Sequence, residues 1–153
     1  MNKRLKKLKR YKRPFWTTLF WHQNEHHKHG VLVHTLKVTY HLIKKGRWDL
    51  VPAGLLHDLG KPFTAHKKTE DIGTPHFSFT NHEEASYHLI KNWKISDYTK
   101  NIVRWHYLIR AMNKEKKRNP KKYKRLKRVW DGLDDNFKKD LGVFLACDDL
   151  GKK

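Results

Sequence analysis

With 153 residues the chain is long enough to bury one sizeable core, and 37% hydrophobic residues with six Trp, six Tyr and seven Phe exclude a chain disordered throughout. A count of 35 Lys and Arg against 15 Asp and Glu gives a net charge of +20 and a pI near 10.1. That balance attracts polyanions, RNA or DNA ahead of an anionic membrane or an acidic protein, with a merely solubilising Lys bias as the plain alternative. A single cysteine, Cys147, excludes an intrachain disulfide, and no apolar run nears the roughly 20 residues that span a bilayer, so a cytoplasmic protein without a membrane partner is expected.

Residues 1–13, MNKRLKKLKRYKR, read as a basic arm whose like charges repel until a polyanion is met, and residues 14–153 as one domain. An aromatic patch, PFWTTLFWH, and a His-rich stretch lead into a helix over Val31 to about Lys45, with Leu32, Leu36, Tyr40 and Ile43 as its expected buried face and Gly46 as its stop. A shorter helix follows around Leu50, Leu55 and Leu56, with Pro52 tolerable in its first turn. Residues 59–80 have breakers and no sustained period and read as a long loop.

Asn81 with Glu84 three residues on resembles a capping box, opening a helix with Ala85, Leu89 and Trp93 on one face. Ser96 can cap the next helix, whose Ile102, Trp105 and Ile109 share a face. A second basic run, residues 113–128, is broken by Pro120, and a last helix runs from about Asp134 to Leu150 with Phe137, Leu141, Phe144 and Leu145 inward. No strand alternation stands out, and the fold class is all-α, a compact helical bundle with a basic N-terminal arm.

The chemistry begins at AGLLHDLGK, where His57 and Asp58 offer an imidazole and a carboxylate to one point at the end of an apolar helix. Asp58 follows an apolar stretch, and an unpaired carboxylate there costs several kcal/mol unless bonded or metal-bound, although it could instead cap the loop at Gly60. His34 in VLVHTLKV, His106 in IVRWHYLI and Asp148 in GVFLACD are other polar residues in apolar surroundings, and His82 starts the helix that follows Asn81. Singly, each reads as a hydrogen-bonded core or boundary residue. As a set on different helices they resemble the inward-pointing ligands from which helix bundles build metal sites.

These residues resemble the ordered pattern of the HD phosphohydrolase superfamily: H, then HD, then two further His, then D, over roughly residues 26–151. Within it, VHTL, LLHDLGKP, a Phe-rich loop ending in His-Glu and a closing D-x-L-G-K look most like the HD region of bacterial CCA-adding enzymes and poly(A)-polymerase-like proteins. The resemblance implies His34, His57, Asp58 and Asp148 as core ligands of a divalent metal, among Mn, Mg, Fe, Ni, Co and Zn. His82 and His106 would complete a second position, and Asp149 competes with Asp148 for the last place. It also implies that Lys61 binds a phosphate oxygen while metal-activated water attacks phosphorus, with Asp58 catalytic. Glu83 is a candidate base or orienting group, a solvated acid at a helix start being its simpler reading.

Two features depart from the family pattern. There is no nucleotidyltransferase segment, so CCA addition does not transfer, and the two basic runs have no counterpart. The runs point to nucleic acid, RNA before DNA and tRNA-like, through Lys3, Arg4, Lys6, Lys7, Lys9, Arg10, Lys12 and Arg13 in the first and Lys116, Lys117, Arg118, Lys121, Lys122, Lys124 and Arg125 in the second. Tyr11, Phe15, Trp16, Tyr123 and Trp130 are interleaved and could stack on bases, with core packing favoured for Phe15, Trp16 and Trp130. The expected function is hydrolysis of a nucleic-acid phosphodiester or phosphate end. The alternatives are a nucleotidase on free nucleotides, and an RNA- or protein-binding module with a structural or inactive site, in a nucleoprotein complex or in nucleic-acid defence as HD parts of CRISPR effectors are.

Overall fold

The computed structural model describes Gln23 and residues 29–153, so the 1–13 arm, its eight basic side chains, and Tyr11, Phe15 and Trp16 lie outside the described residues. The described chain is helical: α1 (Val31–Lys44), α2 (Val51–Leu56), α3 (Lys61–Thr64), α4 (His82–Ile90), α5 (Asp97–Trp105), α6 (Leu108–Arg118), α7 (Pro120–Asp131) and α8 (Asp135–Leu150). None of these helices is long and apolar enough to cross a membrane.

Helix ends follow local chemistry. Gly46 takes φ +70°, its N–H bonds the Ile43 carbonyl at 2.8 Å and the Arg47 N–H bonds the Leu42 carbonyl at 3.0 Å, which together close α1 in a Schellman motif. Ser96 caps α5 by accepting from the Thr99 N–H, Asn119 caps α7 by accepting from the Lys122 N–H, and Asp134 caps α8 by accepting from Asn136 and Phe137. Asn81 makes no such bond. It sits in the left-handed region at φ 60°, so the expected capping box is absent, and α4 ends at Ile90 with Trp93 beyond it and exposed.

The second basic run is likewise not an arm. It forms the two packed helices α6 and α7, with Pro120 at the first position of α7, where its missing N–H costs nothing. Residues 59–80 are more ordered than a loop: α3, a 3-10 turn at Thr69–Asp71, and a two-stranded antiparallel ladder pairing Ala65 with Phe79 and His66 with Ser78.

The buried face of α1 is the reverse of the expected one. Val31, His34, Thr35, Val38, Thr39 and Leu42 turn inward, while Leu36 and Tyr40 are 51% and 57% exposed. The helix carries two apolar stripes, and close approach to glycines selects between them. A Cβ on Gly54 would stand 2.8 Å from Leu42 Cδ1, and one on Gly151 would stand 2.7 Å from Val38 Cγ2. Only the Thr35/Thr39 side is slim enough to seat α1 against α2 and the end of α8, and the Thr39 hydroxyl is satisfied by the Thr35 carbonyl at 2.9 Å. The core these helices share is built on Leu42, Leu50, Ile102, Leu141 and Phe144.

The first turns of α4 lie directly on the turn after α2. The Gly60 N–H donates to Ser86 Oγ at 2.8 Å, and the same hydroxyl donates to the His57 carbonyl at 2.6 Å, so Ser86 staples that turn from the side. A Cβ on Gly60 would meet the His82 carbonyl oxygen at 2.3 Å and the Ser86 nitrogen at 2.5 Å, both backbone atoms that cannot step aside. Gly60→Ala is therefore expected to destabilise the fold by about 3 kcal/mol, the upper part of the usual overpacking range. Denaturant unfolding of the two proteins checks this, and an unchanged midpoint would mean that α4 does not seat on the turn as described.

Candidate metal centre

Six side chains from five places in the chain converge. His34 comes from the middle of α1, His57 and Asp58 from the end of α2, His82 from the start of α4, His106 from the turn between α5 and α6, and Asp148 from the last turns of α8. They form two triads, His34–His57–Asp148 and Asp58–His82–His106, with the ligand atoms of each within 4.8 Å of one another. Asp58 joins the triads: Oδ2 stands 3.2 Å from His57 Nε2 and 3.5 Å from His34 Nε2, and Oδ1 3.5 Å from His82 Nε2.

Three of the imidazoles are aimed by one device. Nδ1 of His57 bonds the Gly54 carbonyl at 2.8 Å, Nδ1 of His82 the Phe79 carbonyl at 2.9 Å, and Nδ1 of His106 the Val103 carbonyl at 2.7 Å. A carbonyl only accepts, so each Nδ1 carries a hydrogen, and each ring in its neutral form presents its Nε2 lone pair inward. His34 lies mid-helix and instead sets Nε2 3.0 Å from Asp148 Oδ1.

Burial raises the Asp58 carboxyl, but His57 and Lys61 outweigh it and hold it well below the ordinary carboxylate range. Asp148 behaves in the same way, burial being overcome by the His34 hydrogen bond and the charge of His57. Burial lowers His57 too, yet Asp58 and then Asp148 reverse the sign and its net shift is upward. His82 and His106 are pushed down, chiefly by burial, to about 4 and about 3.

The donor set fits a divalent cation. His57 Nε2 is buried and makes no hydrogen bond, and His82 Nε2 faces His106 Nε2 at 3.3 Å with the Nδ1 of both rings already committed. Two lone pairs at that separation repel unless a cation or proton lies between them. Four imidazole nitrogens and two carboxylates suit a first-row transition ion.

The residues expected from the sequence fall as follows. The six proposed ligands come together, and Asp148 rather than Asp149 points into the cluster, the Asp149 side chain being 53% exposed. Lys61 does not lean out over the centre as a free cation: its ammonium is buried against Asp58 Oδ2 at 2.6 Å. Glu83 has Oε2 3.4 Å from His82 Nδ1, and burial raises its carboxyl. Lys122 and Arg125 line the cleft outside the centre, whereas Lys116, Lys117, Arg118, Lys121 and Lys124 are exposed on α6–α7 away from its walls. Tyr123 is half-buried, and Trp130 packs against the core.

Sequence reasoning missed Arg110, whose Nη2 reaches Asp148 Oδ2 at 2.9 Å and Asp149 Oδ1 at 2.8 Å, and Gln23, which is fully buried beside Lys61. The signal for Arg110 was its place four residues after His106. Gln23 carried none, standing in a stretch without periodicity.

Fold and site together define a helical domain with a histidine–aspartate metal-binding centre. Residues 31–136 match the HD domain family, and the chain belongs to it. That span contains every residue of the centre except Asp148, and members of the family are generally metal-dependent hydrolases. No curated protein and no solved structure matches the chain, and nothing beyond the sequence motifs supports the narrower likeness to CCA-adding enzymes.

The shifted histidines give the metal-free protein a pH signature. An unfolded chain protonates His57, His82 and His106 near 6.5, whereas the folded one protonates only His57 there, since His82 and His106 wait until about 4 and about 3. The unfolded state thus binds more protons below pH 6.5, and folding stability falls as pH falls, by about 1.4 kcal/mol per pH unit for each unmatched proton. His57, with its raised value, takes its proton above pH 6.5 and adds little slope below it. Denaturant midpoints of chelator-treated protein should therefore drop steadily from pH 6.5 to 5, and a flat profile would contradict neutral, buried His82 and His106.

Proposed function

We propose that this HD domain is a phosphohydrolase acting on phosphodiester or phosphate ends of nucleic acid, RNA in particular. His34, His57, Asp58 and Asp148 would hold one divalent ion, and His82 and His106 would complete a second position with Asp58. A divalent ion there supplies Lewis-acid polarisation of phosphoryl oxygens and acidification of a water nucleophile.

The chain's own groups do the rest. The Lys61 ammonium has one N–H on Asp58 and one on Gln23, which leaves its third for a phosphate oxygen in the cleft it lines. Glu83, its carboxyl raised by burial, borders the same cleft and can pass a proton to a leaving oxygen. Arg110 and Lys152 hold Oδ2 of the Asp148 carboxylate.

The observation that carries the nucleic-acid reading is the shape and charge of the cleft. It measures about 1540 Å³ and runs from Asp58, His82, His106 and Asp148 along the α6–α7 pair. On that wall Lys122 is paired with Glu115, but Lys114 and Arg125 have no acidic partner among the described residues. Two free cations beyond the centre give further phosphates of a chain a place to sit, which a lone mononucleotide would leave empty.

The test is incubation of the Mn²⁺-loaded protein with short RNA and DNA oligonucleotides, with and without terminal phosphates, and with free nucleotides. Asp58→Ala should abolish metal uptake and hydrolysis while leaving oligonucleotide affinity within about two-fold, since the affinity comes from cations elsewhere. Binding without turnover in the wild type would instead make the protein a nucleic-acid-binding module.

The salt dependence locates the contacts. Each single change, Lys114→Ala or Arg125→Ala, should weaken single-strand binding and make the slope of log K against log salt shallower by about 0.7. Deletion of residues 1–13 should lower the slope further while the fold survives. Slopes identical to wild type in all three variants would remove both the wall and the arm from the interface.

A further inference from the structure

Gln23 is the described polar residue with the least obvious reason to be where it is. It lies ahead of the span that matches the HD domain family, yet its side chain is completely buried at the edge of the metal centre. Its Oε1 accepts from Lys61 Nζ at 2.5 Å, its Nε2 donates to the His29 carbonyl at 3.3 Å, and its own carbonyl accepts from the Phe77 N–H at 3.3 Å. The amide orientation is thereby fixed, because Nε2 is committed to a carbonyl and only Oε1 can face the ammonium.

Lys61 in turn stands 2.6 Å from Asp58 Oδ2, the oxygen that also faces His57 and His34. A divalent ion held between His34 and His57 would draw on that oxygen. Lys61 and the ion therefore compete for Asp58, and the outcome depends on what else the buried ammonium can bond.

We infer that Gln23 is a positioning residue for Lys61: it is the neutral acceptor that retains the ammonium when Asp58 turns to a metal ion, and so it sets the metal affinity of the centre. This rests on the metal-site reading above. Without Gln23, the buried ammonium has Asp58 as its one strong acceptor among the described residues and holds it more tightly. With a carboxylate in place of the amide, the ammonium is drawn off Asp58.

The two substitutions therefore move Mn²⁺ affinity in opposite directions. In the full-length, chelator-stripped protein, titration calorimetry with Mn²⁺ should show Gln23→Leu weakening binding by about ten-fold, the scale of one hydrogen bond to a charged group, and the near-isosteric Gln23→Glu tightening it. In a Lys61→Met background both effects should vanish, since the coupling runs through the ammonium. Loss of packing alone would shift both variants the same way and would persist without Lys61.

Circular dichroism and thermal melts confirm that each variant is folded before titration, and Gln23→Glu carries the test if Gln23→Leu does not fold. Shifts of the same sign, or shifts that survive Lys61→Met, overturn the role of Gln23 while leaving the metal site intact. If the wild type takes up no Mn²⁺, or Asp58→Ala takes up as much, the metal-site reading fails and this inference falls with it.

Discussion

Two carboxylates buried among four imidazoles are the constraint on which the rest of this structure depends. Moving one carboxylate out of water costs several kcal/mol even after relaxation, and replacing that hydration takes charges and hydrogen bonds held at fixed positions. Asp58 is served by Lys61 and the surrounding imidazoles, and Asp148 by His34, Arg110 and Lys152. These partners come from α1, the end of α2, α3, α4, α6 and the residues just after α8.

The way the imidazoles are aimed explains where they stand in the chain. His57 and His106 are the C-cap residues of α2 and α5, and each bonds the carbonyl three residues back, in the turn where a helix leaves its last carbonyls without an N–H partner. One bond satisfies an orphaned backbone acceptor and orients a metal-binding nitrogen. His82 uses the Phe79 carbonyl at the end of the short hairpin, so the ladder between 65 and 79 belongs to the centre's support. His34 stands in the middle of α1, and its Nε2 is set by Asp148. The spacing of these histidines relative to helix ends is thus a consequence of coordination chemistry.

Much of this was legible because the residues involved are chemically unusual for their surroundings. A histidine in VLVHTLKV and an aspartate closing GVFLACD are conspicuous in apolar segments, and Ser96, Gly46 and Pro120 mark helix boundaries through bonds that need only local sequence. What was not legible depends on tertiary approach. The buried face of α1 was decided by Gly54 and Gly151 on other elements, and Asn81 took a left-handed conformation because α4 must start close against Gly60. Arg110 and Gln23 matter through partners far away in the chain, and periodicity carries no information about such pairs.

The charge of the chain and the charge of its cleft are different quantities. Of the cations along the cleft, Lys61 is paired with Asp58, Arg104 with Glu84, Arg110 with Asp148 and Asp149, Lys122 with Glu115, and Lys152 with Asp149. These pairs are close to neutral at a distance, so the excess of +20 resides largely on Lys114 and Arg125 at the outer wall of the cleft, on the other exposed cations of α6–α7 and in the N-terminal residues. Exposed charges act over about 8 Å at physiological salt, long enough to gather a polyanion and too short to perturb the buried carboxylates. On the proposed function, capture falls to these exposed cations and chemistry to the buried centre. The centre keeps the anionic character that a divalent cation requires, in a protein whose surface is strongly cationic.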